Sequence, residues 1–134
     1  MSDPLEGYER VEDEAFNSFV ADMYAKKGDD GGLLFKFKPE QRHLNGGGVV
    51  HGGMLMTFAD LVLGHAVWDA TDMAPCTTMS MNCDFVAAGK LGEWIEGSAK
   101  ITRKTRSVVF VQGELTSGGK TVLAATGIWK ILGT

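Results

Sequence analysis

The sequence predicts an α+β domain in which a curved antiparallel β-sheet wraps one long buried helix. Three observations point to it. Between Met54 and Val67 only Thr57, Asp60 and His65 are polar, and a helix that is apolar on nearly every side is buried. From Thr77 onward the chain reads as four strand-like runs separated by turn residues. Its 134 residues suit one domain with a sizeable core, expected over 1–134. A lone apolar helix must be surrounded, and a sheet curved around it is the simple solution.

The elements follow in order. Phe16, Phe19, Val20, Met23 and Tyr24 recur at i, i+3, i+4, i+7 and i+8, which predicts an amphipathic N-terminal helix over about 12–28. Glu12, Asp13 and Glu14 at its start and Lys26 and Lys27 at its end suit the helix dipole, and Gly28 stops it. Leu33 to Lys38 alternates as a strand and ends at Pro39. A short element and a glycine loop, Asn45-Gly46-Gly47-Gly48, lead to the buried helix from about Gly52 to Trp68. The strands expected after it are Thr77 to Val86, with Met79, Met81, Cys83 and Phe85 on one face, then Glu93 to Arg103, Ser107 to Thr116 and Thr121 to Leu132. Ser117-Gly118-Gly119-Lys120 is the hairpin turn between the last two. Such a sheet leaves a convex face and edges to cover, so a homo-oligomer is expected.

Composition narrows the function. A net charge of -4 and a pI near 5.3 argue against non-specific nucleic-acid binding, and no basic recognition helix is present. The acidic start, Met1 to Glu6, has no apolar segment of the kind a signal peptide needs, and the apolar helix is too short to span a bilayer. Cys76 and Cys83 lack a CxxC spacing and read as free thiols of a cytoplasmic protein. The three histidines do not make a metal site by spacing.

Asp60 is the most informative residue. A carboxylate inside an apolar helix costs several kcal/mol or more unless paired, so it is either a general base or nucleophile, or a buried structural Asp held by a backbone group. His65 lies roughly 140° around the helix from it and cannot pair with it. Gly64, one turn on, is expected to leave room beside Asp60. His51-Gly52-Gly53 opens the helix and is either a plain tight turn or a place where bare backbone N–H groups hold an oxyanion. Asn45 is either a turn residue or an amide donor to the same carbonyl. His51 is expected to fix the loop through a backbone bond, and His43 to be a surface or loop residue. Arg103, Lys104 and Arg106 are either a solvated hairpin tip or a phosphate-binding cluster. Gly52 and Asp60 are eight residues apart, roughly 12 Å along one helix, whereas an oxyanion donor and a base must both reach one reacting centre. If both are catalytic, the site is shared by two antiparallel copies.

The run from Asn45 to Asp60 reads N-x-x-G-x-x-H-G-G-x-x-x-x-x-x-D. It resembles the hotdog-fold acyl-CoA thioesterases, most closely the phenylacetic-acid-degradation branch; Asn82 to Phe85 and Lys90 to Glu93 add to the likeness, which spans about 35 to 132. The resemblance implies the hotdog fold with an N-terminal helix. It also implies hydrolysis of an acyl-CoA to free acid and coenzyme A, with no cofactor because coenzyme A is part of the substrate. Gly52 N–H and Asn45 would hold the thioester carbonyl, Asp60 of a second subunit would act as base or nucleophile, His51 would orient the loop, and Thr78 falls where relatives carry a water-holding serine. Arg103, Lys104, Arg106 and Ser107 fall where relatives bind the nucleotide end of coenzyme A. Tetramers built as a dimer of dimers are expected. The acyl pocket is expected near Met56, Phe58 and Phe85, and the acyl group stays open. The alternative reading is a non-catalytic acyl-CoA-binding module.

Overall fold

A computed structural model describes residues 3–133; Met1, Ser2 and Thr134, the ends of the expected 1–134 span, lie outside the described residues. In chain order the elements are β1 (Glu9–Arg10), α1 (Phe16–Val20), β2 (Met23–Lys27), β3 (Leu33–Phe37), a single helical turn at Gln41–His43, α2 (Gly52–Ala70), β4 (Cys76–Phe85), β5 (Ile95–Lys104), β6 (Val108–Ser117) and β7 (Lys120–Ile131). All strand pairs are antiparallel, in the spatial order β1-β2-β3-β5-β6-β7-β4. Helix α2 lies against β4, β5, β6 and β7. This is the hotdog fold, a sheet around one long helix. Phe35, Phe37, Phe58, Leu63, Ile95, Leu115 and Leu123 are fully buried between the two.

The N-terminal helix is much shorter than its periodicity predicts. Only Phe16–Val20 is helical, and Met23–Lys27 is a strand paired residue for residue with β3, from Met23 opposite Phe37 to Lys27 opposite Leu33. The open edge of β3 offers these five residues a ladder of hydrogen bonds, and the pairing outweighs a weak helical preference. Met23 turns into the core while Tyr24 faces out, the period of two that a strand requires. Gly28 consequently opens a hairpin rather than capping a helix: its N–H donates to Gly32 O at 2.6 Å. Phe16 and Phe19 are left exposed.

Strand β4 also departs from simple alternation. Thr78 pairs with Trp129 and Ser80 with Ile128, so Met79 is the extra residue of a β-bulge. Thr78, Met81, Cys83 and Phe85 stand opposite Trp129, Gly127, Ala125 and Leu123, the core-facing residues of β7. Met79, expected on that inner face, is exposed. At the β6–β7 hairpin, Gly118 and Gly119 both take positive φ, 57° and 81°, as a two-residue turn between twisted strands demands.

Candidate active site

Helix α2 is capped by an unusual residue. His51 Nδ1 accepts the Gly53 N–H at 2.8 Å, and its carbonyl accepts from Met54 and Leu55. Of the four N–H groups that a helix start leaves without intrahelical partners, only that of Gly52 has no partner among the described residues. Glycine at 53 makes the cap possible, since a Cβ there would sit 2.9 Å from His51 Nδ1. With Nδ1 accepting, the ring proton is on Nε2.

The loop before the helix is braced in the same way. Asn45 Oδ1 accepts from the N–H of Gly47 (2.8 Å) and of Val49 (3.3 Å), leaving its amide NH2 with no partner among the described residues. Asn45 is thus a turn residue through its oxygen and an open donor through its nitrogen. His43, expected at the surface, is buried: Nδ1 accepts from Glu40 N–H at 3.0 Å, Nε2 donates to Val20 O at 2.8 Å, and its carbonyl receives the His51 N–H. It is a strut joining α1, the helical turn and the start of α2. No periodic pattern in the sequence marked it.

Asp60 is not buried within one chain. The sheet covers most of α2 but leaves a stripe in which Gly53, Met56, Asp60 and Trp68 are exposed, residues three, four and eight apart that share one face. The expected burial assumed that the sheet closes all around the helix. Thr78 Oγ1 donates to Asp60 Oδ1 at 2.8 Å, the one hydrogen bond its carboxylate receives among the described residues. The β-bulge at Met79 is what turns Thr78 toward α2. Nearby, burial pushes the Cys83 thiol pKa up, and the carboxylates of Asp84 and Asp60 add to the shift, so the thiol stays protonated and is a poor nucleophile. Gly64 faces Trp129, not Asp60: a Cβ there would meet the indole at 3.6 Å. Phe58 lies fully buried in the core against Phe37, whereas Phe85 packs over Gly52.

The basic residues sit elsewhere. Arg103 and Lys104 end β5, and Arg106 and Ser107 form the turn into β6. Lys104 Nζ donates to Ala70 O at 2.9 Å, which ties this tip to the C-terminal end of α2. Ala70 is 18 residues, roughly 27 Å, along the helix from Gly52. One chain therefore brings Asp60 together with Thr78 and brings His51 together with Gly53 around the Gly52 donor. It holds the basic tip apart from that donor.

Sequence and fold have relatives. Residues 47–124, more than half of the chain, match the Thioesterase superfamily. Acyl-coenzyme A thioesterase 13 of Mus musculus is 30% identical over 95 residues, covering 71% of this chain and 68% of that protein. The crystal structure of zebrafish thioesterase superfamily member 2 superposes with a TM-score of 0.80 at 25% identity, covering 90% of this chain and 88% of that one. The E. coli PaaI protein of the phenylacetic acid degradation operon superposes with a TM-score of 0.72 over 83% of this chain and 80% of its own, at 20% identity, a likeness of fold. By the extent of the family match, reinforced by these relatives, the chain belongs to the thioesterase superfamily.

Proposed function

We propose that this protein hydrolyses acyl-CoA thioesters, and that each active site is built by two copies. The observation that carries the reading is the solitary free N–H of Gly52 at the positive end of α2, two turns from the Thr78-held carboxylate of Asp60. The thioester oxygen accepts from Gly52 N–H and from the Asn45 amide of one copy. Asp60 of the second copy takes a proton from water, whose oxygen attacks the carbonyl carbon. Negative charge gathers on the carbonyl oxygen, where the two donors stabilise it. The tetrahedral centre then collapses, the C–S bond breaks, and the leaving thiolate takes the proton held by Asp60, giving free acid and coenzyme A and restoring the carboxylate. Thr78 fixes one oxygen of Asp60 and leaves the other for the water; His51 holds the turn in which Gly52 is presented. Direct attack by Asp60 is the alternative route, and label found in Asp60 after a single turnover in heavy-oxygen water would establish it, since only a nucleophilic Asp60 acquires the label.

The same reading places Arg103, Lys104, Arg106 and Ser107 at the phosphates of coenzyme A. Ala70, where Lys104 is anchored, is ten residues or roughly 15 Å from Asp60 on the same helix, so the copy that supplies the base also grips the nucleotide. No cofactor is needed. The name of the mouse relative, an acyl-coenzyme A thioesterase, supports the substrate class, and the spacing from Asn45 to Asp60 supports the phenylacetic-acid-degradation branch. The edge strand β4 carries exposed Met79 and Phe85 and is suited to pair with a second copy; we propose a dimer, joined in pairs to a tetramer. No helix among the described residues is long and apolar enough to cross a membrane, and the two free thiols, Cys76 and Cys83, favour a cytoplasmic site.

The test is thiol release from acyl-CoAs by wild type and by Asp60→Asn, with a blank for Cys76 and Cys83. The variant is expected to keep its fold and lose about 10²-fold or more in kcat; near-normal turnover would overturn the assignment.

A further inference from the structure

A cavity of about 540 Å³ opens beside the start of α2, lined by Phe19 and Val20 of α1, by Arg42, His43 and Leu44, and by His51, Gly53, Met54 and Thr57. Its size is that of a small-ligand site. Two of its lining residues, His51 and Gly53, flank the free Gly52 donor on either side.

The walls are largely apolar because most of their polar groups are already engaged. His43 uses both ring nitrogens, on Glu40 and Val20. The Arg42 guanidinium donates to Phe19 O at 3.2 Å and to Glu40 Oε2 at 3.1 Å. Thr57 Oγ1 donates to Gly53 O at 2.9 Å, and His51 Nδ1 accepts from Gly53. What remains is hydrocarbon from Phe19, Val20, Leu44 and Met54, with the His51 Nε2–H and the unused N–H groups of the half-exposed Arg42. A charged or hydroxylated group held against that hydrocarbon would lose its hydration and find few partners.

Geometry selects the guest. A thioester carbonyl held at Gly52 has two substituents that must diverge. The sulfur side must run toward the basic tip at the far end of the second copy's α2, so the acyl side is directed away from it. We propose that this cavity receives an unsubstituted hydrocarbon acyl chain, longer than acetyl, and that Phe19 and Thr57 determine its length. The inference rests on the thioesterase reading and relocates the acyl pocket from the sequence-based site around Phe58. The two main-chain bonds from Arg42 and His43 hook the end of α1 over the pocket, so this short helix acts as its outer wall. Phe19, 79% exposed, is then a side chain left open for substrate rather than a failure of packing.

The experiment measures kcat/KM for acetyl-, butyryl-, hexanoyl-, octanoyl-, malonyl- and 3-hydroxyhexanoyl-CoA. Variants Phe19→Ala and Thr57→Phe are run beside wild type, and circular dichroism checks each fold. Each buried methylene is expected to raise kcat/KM about fourfold, the equivalent of about 0.8 kcal/mol, until the cavity is full. Malonyl and hydroxyacyl groups should fall below their unsubstituted counterparts. Phe19→Ala removes a wall and Thr57→Phe fills the space; each should lower the octanoyl-to-acetyl ratio at least about fivefold. Phe19 is at the surface, so its variant is informative even if Thr57→Phe does not fold. A wild type that turns over acyl-CoAs while the folded variants keep its ratio would overturn the cavity assignment alone. A wild type inert on every acyl-CoA would overturn the thioesterase reading and this inference with it.

Discussion

His65 shows how a single side chain sets a property of the whole fold. It stands edge-on to Phe35 and Trp68, with ring centroids 5.3 and 5.8 Å away, and burial lowers its pKa below the ordinary 6.5, with the Asp13 carboxylate pulling the other way but less. The unfolded chain therefore binds a proton at higher pH than the folded one. Stability from this residue is intact above about 6.5, declines as the pH falls through that value, and levels off once the folded state also protonates. Chemical denaturation at a series of pH values should show this decline, and His65→Leu should remove that part of it; an identical pH profile in the variant would refute the assignment. Asp60 presents the opposite case. It is exposed in one chain and restrained by one hydroxyl, so under the proposed function its chemistry would depend on what a second copy brings to it.

At the scale of elements, α2 is defined by its cap. Gly53→Ala would place a methyl carbon 2.9 Å from His51 Nδ1, so the ring must swing away and the cap is lost, at a cost of about 1 kcal/mol. Alanine restores up to about 1 kcal/mol of helix preference, so the two effects nearly cancel. The expected outcome is a melting temperature within a few degrees of wild type together with a kcat lowered at least about tenfold, because the loop presenting Gly52 is no longer fixed. A large drop in melting temperature with unchanged kcat would show the cap to be structural alone. Much of α2 was legible from sequence, since a run apolar over four turns has few alternatives. The stretch 23–27 was not: its residues fit a helix and a strand alike, and the decision came from the open edge of β3. The orientation of Thr78 was hidden as well, because a single bulge residue reverses which neighbours face inward and leaves no mark in the alternation.

At the scale of the whole molecule, one chain leaves a stripe of α2 uncovered. The exposed stripe of α2 carries Met56 midway between Gly52 and Asp60. If Gly52 of one copy meets Asp60 of another, a two-fold axis must pass beside Met56, and the two helices run antiparallel across it. Facing Cα atoms at that crossing fall within disulfide range for closely packed helices. A Met56→Cys variant in a Cys76→Ser, Cys83→Ser background should thus form a cross-linked dimer on mild oxidation, visible as a doubled mass on a non-reducing gel. A species that stays monomeric while retaining turnover would exclude this arrangement.

The sequence by itself determined the long helix, the four strands β4 to β7 though not that β4 pairs with β7 instead of β5, the Gly-Gly turn between β6 and β7, and the pattern from Asn45 to Asp60. Each is a local matter of period, turn chemistry or spacing, written in consecutive residues. Tertiary structure alone decided that residues 23–27 pair with β3, that His43 is a buried strut, that Thr78 faces Asp60 across a bulge, and that Asp60 lies on the one side of α2 the sheet leaves open. These depend on which distant backbone edge or side chain is available to pair, and no local pattern carries that information.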